Sequence, residues 1–321
     1  MPAPSTGRDL HIDVPLSNVV VGRRPEGFIA DQLLPVTNVP NQTGIYYKYN
    51  HLEWFRDVPE GTLRAPMTEA KKVAITVTSD TFYAPNYALG AEWPVEDEVN
   101  ADAVLQWSRS QALHVTDRLM MDYEKRVADL CVASANVATI FLASSGWNSL
   151  ARTAYTDLLT WRDAFKDITG VMPNTLIIPR KVMSKLRAND QMRDLLYGDR
   201  GGLVTAQQVG SLIDIPNVLV PMAQVNTAVE ADPQGGTFAD VWDGNGNLWM
   251  AHINNMSGMF TDTWLNAFRW TSPLLQGLPM AVQRYPFDPK KKSYSIEVGY
   301  YQAEKVISSD LAIRVSSLTA T

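Results

Sequence analysis

The stretch NADAVLQWSRSQALHVTDRLMMDYEKRVADLCVASA, residues 100–135, contains neither Gly nor Pro, and would make about ten helical turns. Val99, Ala103, Trp107, Ala112, Val115, Leu119, Tyr123, Val127 and Leu130 recur at helical spacing, which predicts one long helix with a single apolar stripe. The other face reads as wet, with Arg109, Asp117, Arg118, Asp122, Glu124, Lys125 and Arg126; Asp122 and Arg126 stand i to i+4 for a weak ion pair. Asp97 or Asn100 can cap the start, and Glu96 and Glu98 suit the positive end of the helix dipole. Such a helix would be roughly 50 Å long, against ~30 Å for a small domain, so it must lie along an elongated body or project from it. A core helix in an ordinary monomer would carry the same stripe, and the sequence around it has to decide.

Immediately N-terminal, from Ile45 to Glu92, lies a strand-rich arm with a polar middle. Ile45, Tyr47 and Tyr49 alternate with Tyr46, Lys48 and Asn50, and Val73, Ile75 and Val77 alternate with Lys72, Ala74, Thr76 and Thr78. Between them, His51 to Lys71 is too polar and too broken by Asp57-Val58-Pro59-Glu60-Gly61 to form a core. An isolated two-stranded ribbon is at best marginally stable in water. The arm therefore needs a cover, either a neighbouring subunit or its own domain.

Composition sets the outer limits. The 321 residues, 45% of them hydrophobic, can bury a sizeable core in two domains. A net charge of -6 argues against binding nucleic acid or anionic membrane through a basic face. The one basic cluster, Lys290-Lys291-Lys292, reads as a solvated turn. The single cysteine, Cys131, lies on the apolar side of the helix, which rules out a disulfide within the chain and fits a buried, inert thiol in a reducing interior. The first residues lack the basic and apolar regions of a signal peptide, and the longest apolar run, Val137 to Ala143, is far short of a membrane span.

C-terminal to the helix the pattern alternates between α and β. Leu158, Trp161, Phe165 and Ile168 mark a helix capped by Thr156 and stopped at Gly170; Thr175-Leu176-Ile177-Ile178 is a short buried strand. A helix carrying Val182, Met183 and Leu186 follows, with Pro179 near its start. After the loop Tyr197 to Gly202 come a helix from about Thr205 to Ile213 and a strand from Asn217 to Val220. Phe238 to Trp242 and Asn247 to Ile253, around Asp243-Gly244-Asn245-Gly246, predict a hairpin. Met280 to Tyr285, Tyr294 to Tyr301, Lys305 to Ser309 and Leu311 to Val315 predict strands running beside the long helix. The fold class is α+β.

This order of parts resembles the tailed-phage major capsid proteins of the Hong Kong 97 type. Glu26-Gly27-Phe28-Ile29-Ala30-Asp31-Gln32-Leu33-Leu34-Pro35, followed by Thr43-Gly44-Ile45-Tyr46-Tyr47-Lys48-Tyr49, is similar to the N-terminal arm and loop root of that family. Asn174-Thr175-Leu176-Ile177-Ile178-Pro179 and Ile215-Pro216-Asn217-Val218-Leu219-Val220-Pro221 resemble elements of its axial domain. The resemblance implies a flexible N-terminal arm over 1–43, an extended loop over 44–95, a peripheral domain with spine helix over 96–150 and 277–321, and an axial domain over 151–276. It further implies self-assembly into hexamers and pentamers of an icosahedral shell around double-stranded DNA held without sequence specificity, with portal, scaffolding and decoration proteins as partners and no membrane. The virion is then its location, with assembly in the host cytoplasm. Absence of a long charged helical segment at the start points to a separate scaffolding protein or an already processed chain. The candidates for contact between subunits are Trp54, Phe55, Tyr83, Ile45, Tyr47 and Phe28, large side chains suited to anchoring an interface; core packing is an equally ordinary use for them.

An encapsulin-like compartment shell is the alternative within that fold, although its short cargo-holding N-terminal helix is not what this long arm resembles. A soluble αβ hydrolase using Glu96, Asp97 or His114 is the alternative of another class. Its support is thin: His11, His51, His114 and His252 are scattered with no i, i+4 pair, and the chain lacks both a phosphate-cradling Gly-rich loop and a Gly-x-Ser-x-Gly elbow. Asp243 to Asn254 opens like a calcium loop, yet Leu248 stands where the Gly belongs and Asn254 where the closing Glu belongs. No cofactor or metal is expected.

Overall fold

The long helix runs Trp107–Val132 in the computed structural model, which describes residues 11–49, 51–57, 61–73, 76–100, 106–143, 147, 153–198, 202–228, 236–242, 246–254 and 262–319. Its 26 residues span roughly 39 Å, less than the sequence suggested. Val95–Asn100 is a separate short helix, and Gln106, ahead of the long one, holds a left-handed φ of 40° with no side-chain cap. Trp93 Nε1 donates to Glu98 at 3.2 Å, tying the short helix to the preceding strand, and Val95 N donates to Lys292 O at 2.9 Å, tying it to the turn before Ser293–Val306. Asp97 and Asn100 therefore do not cap the long helix, and Val99, on the short one, is exposed; Ala103 lies outside the described residues. Farther on, the stripe is where periodicity put it, with Ala112, Val115, Leu119, Tyr123 and Val127 buried.

That stripe packs on a six-stranded sheet whose hub is the 14-residue strand Ser293–Val306. Asn86–Pro94 pairs antiparallel along one edge of its first half and Ala281–Arg284 along the other; Leu265–Trp270 pairs with its second half and carries Val36–Val39 in parallel. Ala112, Val115 and Leu119 meet Trp93, Ile296, Val298 and Tyr300 there. Two expectations change. Tyr294 to Tyr301 runs on without a break to Lys305 and Val306 as one strand, while Ser309 starts a short turn, Ser309–Leu311, and Asn86–Pro94 is part of the body's sheet rather than of the projecting arm.

A five-stranded sheet of order Thr139–Leu142, Ala312–Ser316, Leu248–Ala251, Thr175–Ile177, Asn217–Leu219 forms the second layer system. The helices Ala154–Thr169, Arg180–Ala188, Asp190–Tyr197 and Ala206–Ile213 pack with it around Leu158, Phe165, Leu176, Met183 and Met250. Gly170 ends the first helix at φ 76°, a conformation that glycine adopts without strain. Thr153, not Thr156, stands at that helix's N-cap. Thr205 and Gln208 close a reciprocal capping box on the last.

The hairpin predicted around residues 243–246 does not form. Phe238–Asp240 pairs instead with Gln224–Asn226, and Leu248–Ala251 lies in the middle of the five-stranded sheet between Ala312–Ser316 and Thr175–Ile177. All four residues of Leu248–Ala251 are buried, as an unbroken apolar run should be when both faces of a strand are covered. Ala312–Ser316 likewise joins this sheet rather than running beside the long helix.

Both layer systems share a core in which Tyr123, Val127 and Cys131 meet Trp242, Trp249 and Trp264. Burial pushes the Cys131 thiol well up, so it is an inert hydrophobe. The N-terminal segment, expected to be flexible, is folded onto the body from His11 onward. Asp13 caps the helix Val14–Val21 by accepting from Leu16 N at 3.0 Å, and Ser17 Oγ accepts from Val282 N at 3.0 Å.

Candidate assembly surface

The projecting arm is an antiparallel hairpin of Thr43–Tyr49 with Val77–Tyr83, in the register Ile45↔Thr81 and Tyr47↔Ser79. Val73, expected in the second strand, precedes it and is exposed; Ile75 lies outside the described residues. Directly opposed residues share a face, so the register sorts the side chains. One face holds Tyr46, Lys48, Phe82 and Asp80; the other holds Ile45, Tyr47, Val77 and Tyr83.

The first face belongs to the subunit. Phe82 stacks on Phe268 with ring centroids 4.6 Å apart, and Tyr46 lies 5.1 Å from the same ring. Gly44 sits so close to Phe82 that a Cβ there would come within 2.7 Å of its ring. The Tyr46 hydroxyl and the Lys48 ammonium each donate to Asp80 at 3.1 Å. Lys48, the Thr81 N–H and Tyr46 together hold the Asp80 carboxyl down at about 2.

The second face is left to solvent. Ile45 is 63% exposed, Tyr47 51%, Val77 46% and Tyr83 57%. Four large apolar side chains share this face at diagonal positions, Tyr83 beside Ile45 and Tyr47 beside Val77, a grouping unusual on the surface of a protein that acts alone. The other candidates fall elsewhere. Phe55 is largely exposed but rests against Gly170, where a Cβ would lie 3.1 Å from its ring. Phe28 is half-buried and lines a cavity of about 240 Å³ beside Glu124. Trp54 lies in the short turn His51–Phe55, and its side chain is outside the described residues.

Glu124, placed by the sequence reading on the wet face, is fully buried beneath the N-terminal segment. Its carboxylate accepts from Ile29 N at 3.0 Å, Ala30 N at 2.9 Å and Trp242 Nε1 at 2.7 Å, which fastens the N-terminal segment and the loop bearing Trp242 to the long helix. Burial pushes its carboxyl up, and the three donors pull it back only in part. A signal was present in the sequence: Met120, Glu124, Ala128 and Cys131 form a second row beside the stripe, flanked by small and apolar residues. Two residues on, the Arg126 guanidinium lies 3.6 Å over the Tyr87 ring, bonds to Asp122, and donates to Tyr300 Oη at 2.7 Å and Glu304 at 3.3 Å.

Of the residues of the hydrolase alternative, Glu96 and Asp97 lie on the short helix Val95–Asn100, and His114 is exposed on the long helix.

No family model matches the chain. Two phage proteins named major capsid protein do: that of Burkholderia phage BcepMu is 22% identical over 242 residues, 73% of this chain and 74% of its own length. That of Pseudomonas phage JBD67 is 25% identical over 224 residues, 68% and 70% of the two chains. Among solved structures, a phage-related protein from Bordetella bronchiseptica RB50 superposes with a TM-score of 0.72 at 17% identity, covering 97% of this chain and 99% of that one. The capsid of cyanophage P-SCSP1u gives 0.57 at 12% identity with 92% and 89% covered, and a virus-like particle from Pyrococcus furiosus 0.55 at 13% with 94% and 96%. The fold is the HK97-like fold of shell-forming proteins. The chain is thus similar to phage major capsid proteins over about 70% of its length and shares the fold of solved phage capsids.

Proposed function

We propose that copies of this chain assemble into pentamers and hexamers of an icosahedral shell around double-stranded DNA, and that the outer face of the arm is covered there by a neighbouring copy. One observation carries the reading: the stripe Ile45, Tyr47, Val77 and Tyr83 lies exposed on a hairpin whose other face is already anchored on Phe268. The long helix and six-stranded sheet act as the stiff peripheral body, the five-stranded sheet and its helices as the axial body, and the arm as the adjustable contact between subunits. Obligate interfaces bury ~2,000 to 5,000 Å², and exposed aromatics beside aliphatics suit their centres. An acidic inner lining would let packed DNA slide, because tight phosphate binding needs many neutralising Lys and Arg contacts. Portal, scaffolding and decoration proteins complete the set of partners, and assembly takes place in the host cytoplasm.

Negative-stain microscopy of the purified protein should show particles tens of nanometres across, and those recovered from infected cells should carry nucleic-acid absorbance. A monodisperse monomer or dimer under assembly conditions contradicts the shell; particles holding protein cargo and no nucleic acid indicate a compartment instead. Replacing Tyr47 and Ile45 with Asp should leave the subunit's melting curve unchanged and reduce particle yield at least tenfold, since interface anchors contribute ~2 kcal/mol or more each. Trp54→Ala should act in the same direction.

A further inference from the structure

We propose that the end of the six-stranded sheet is a second contact between copies of this chain, in which the lysine turn of one copy docks head to tail on the acidic helix Val95–Asn100 of the next. This contact rests on the shell reading above and uses a surface other than the arm. Strand order sets its geometry. Ser293–Val306 runs between Ala281–Arg284 on one side and Asn86–Pro94 on the other, and all three reach the same end, where Ser293 pairs with Pro94 and Arg284 with Ile296. The turn that joins the first two strands carries Lys290, Lys291 and Lys292 against a single carboxylate, Asp288. The opposite flank, residues 86–100, carries Glu92, Glu96, Asp97 and Glu98 and no Lys or Arg. Basic and acidic groups thus face opposite ways across a tip only about 10 Å wide, two strand spacings.

Part of this charge is used within the subunit. Lys291 Nζ meets Glu92 at 3.2 Å, Trp93 Nε1 donates to Glu98, and Asp288 accepts from the Lys290 and Lys291 N–H groups. Lys290, Lys292, Glu96 and Asp97 are exposed, and their side chains make no ion pair among the described residues. Phe287, 43% exposed, stands beside the lysines as an apolar contact. A free anion would meet the carboxylates of the same tip and a free cation the lysines, so the partner that fits must offer both signs in a matching arrangement. A second copy does. A two-fold contact through either flank sets like charges together, whereas a head-to-tail contact pairs opposite charges at every step and repeats until a ring closes. Exposed ion pairs are individually weak and screened by salt; repeated at every contact they fix direction and register, because the wrong orientation is repelled.

The test reverses the two flanks of the full-length chain separately and together: Lys290→Glu with Lys292→Glu, Glu96→Lys with Asp97→Lys, and all four. Particle yield is read by sedimentation and negative-stain microscopy, and subunit folding by the melting curve. Each reversal alone should leave the melt in place and cut the yield about tenfold, since like charges then face each other. The fourfold variant, in which the signs are exchanged and the pairing restored, should recover most of the parent's yield. Should lysines at the start of the short helix lower the melt, Glu96→Gln with Asp97→Asn replaces that arm and should reduce the yield in the same direction. Single reversals that fold and assemble like the parent, or a folded fourfold variant that assembles no better than either, overturn the proposal. A parent chain that forms no particles removes the shell reading itself, and this contact with it.

Discussion

Glu124→Ala is expected to destabilise the subunit by roughly 3 kcal/mol or more, the combined effect of stranding three buried donors at ~1–3 kcal/mol apiece, offset by no longer burying a carboxylate. Those donors are Ile29 N, Ala30 N and Trp242 Nε1, and they come from two separate stretches of chain. Glu124→Gln separates charge from geometry. Its Oε1 can accept from Ile29 and Trp242 as the carboxylate Oε1 does, while its amide nitrogen faces Ala30 N–H, so one donor is stranded. Stability should therefore fall in the order Glu, Gln, Ala. Urea denaturation gives the magnitudes, and hydrogen exchange should show amide protection lost first at residues 29–34. An alanine variant as stable as the parent would show that the latch holds nothing.

Leu119→Asp is expected to prevent folding altogether. Leu119 is 2% exposed, within the cluster of Val20, Trp93, Ile296 and Val298 where the long helix crosses the six-stranded sheet. Loss of the side chain's packing costs ~2–5 kcal/mol, and the new carboxylate adds several more because it would be buried among apolar side chains. The sum reaches most of a domain's usual net stability of ~5–15 kcal/mol. Val99→Asp, at a residue 75% exposed on the short helix, is the matched control and should change stability by less than ~0.5 kcal/mol. Soluble, assembled Leu119→Asp protein would mean that the buried stripe has been assigned to the wrong side of the helix.

The long helix was legible because its stripe is set by one element's own period. Five of its nine stripe residues are buried as periodicity required, and the departure at Val99 comes from its place on a separate short helix, Val95–Asn100, which no Gly or Pro in the sequence announces. The strand Leu248–Ala251 was legible as a strand and illegible as a neighbour: period two marks alternate faces but says nothing about which distant segment supplies the hydrogen bonds. Its partners, Ala312–Ser316 and Thr175–Ile177, lie more than sixty residues away on either side. The arm's two faces could not be told apart for a related reason, since Ile45 and Tyr46 look equally apolar and only the placement of Phe268 decides which one is covered. Glu124 escaped because a helix has more than one inward row, and a carboxylate on the second row reads as wet until its donors, some ninety residues upstream and over a hundred downstream, are known. Tyr83 and Tyr47, chosen from the sequence as interface residues, share an exposed face; the subunit alone gives them nothing to grip.

Electron cryomicroscopy of the assembled particle tests the central claim most directly. The account predicts closed shells in which Ile45, Tyr47, Val77 and Tyr83 of one copy lie against a neighbouring copy, while Tyr46 and Phe82 stay on their own Phe268. Shells in which that stripe faces open solvent, or a protein that forms no shell, would contradict it.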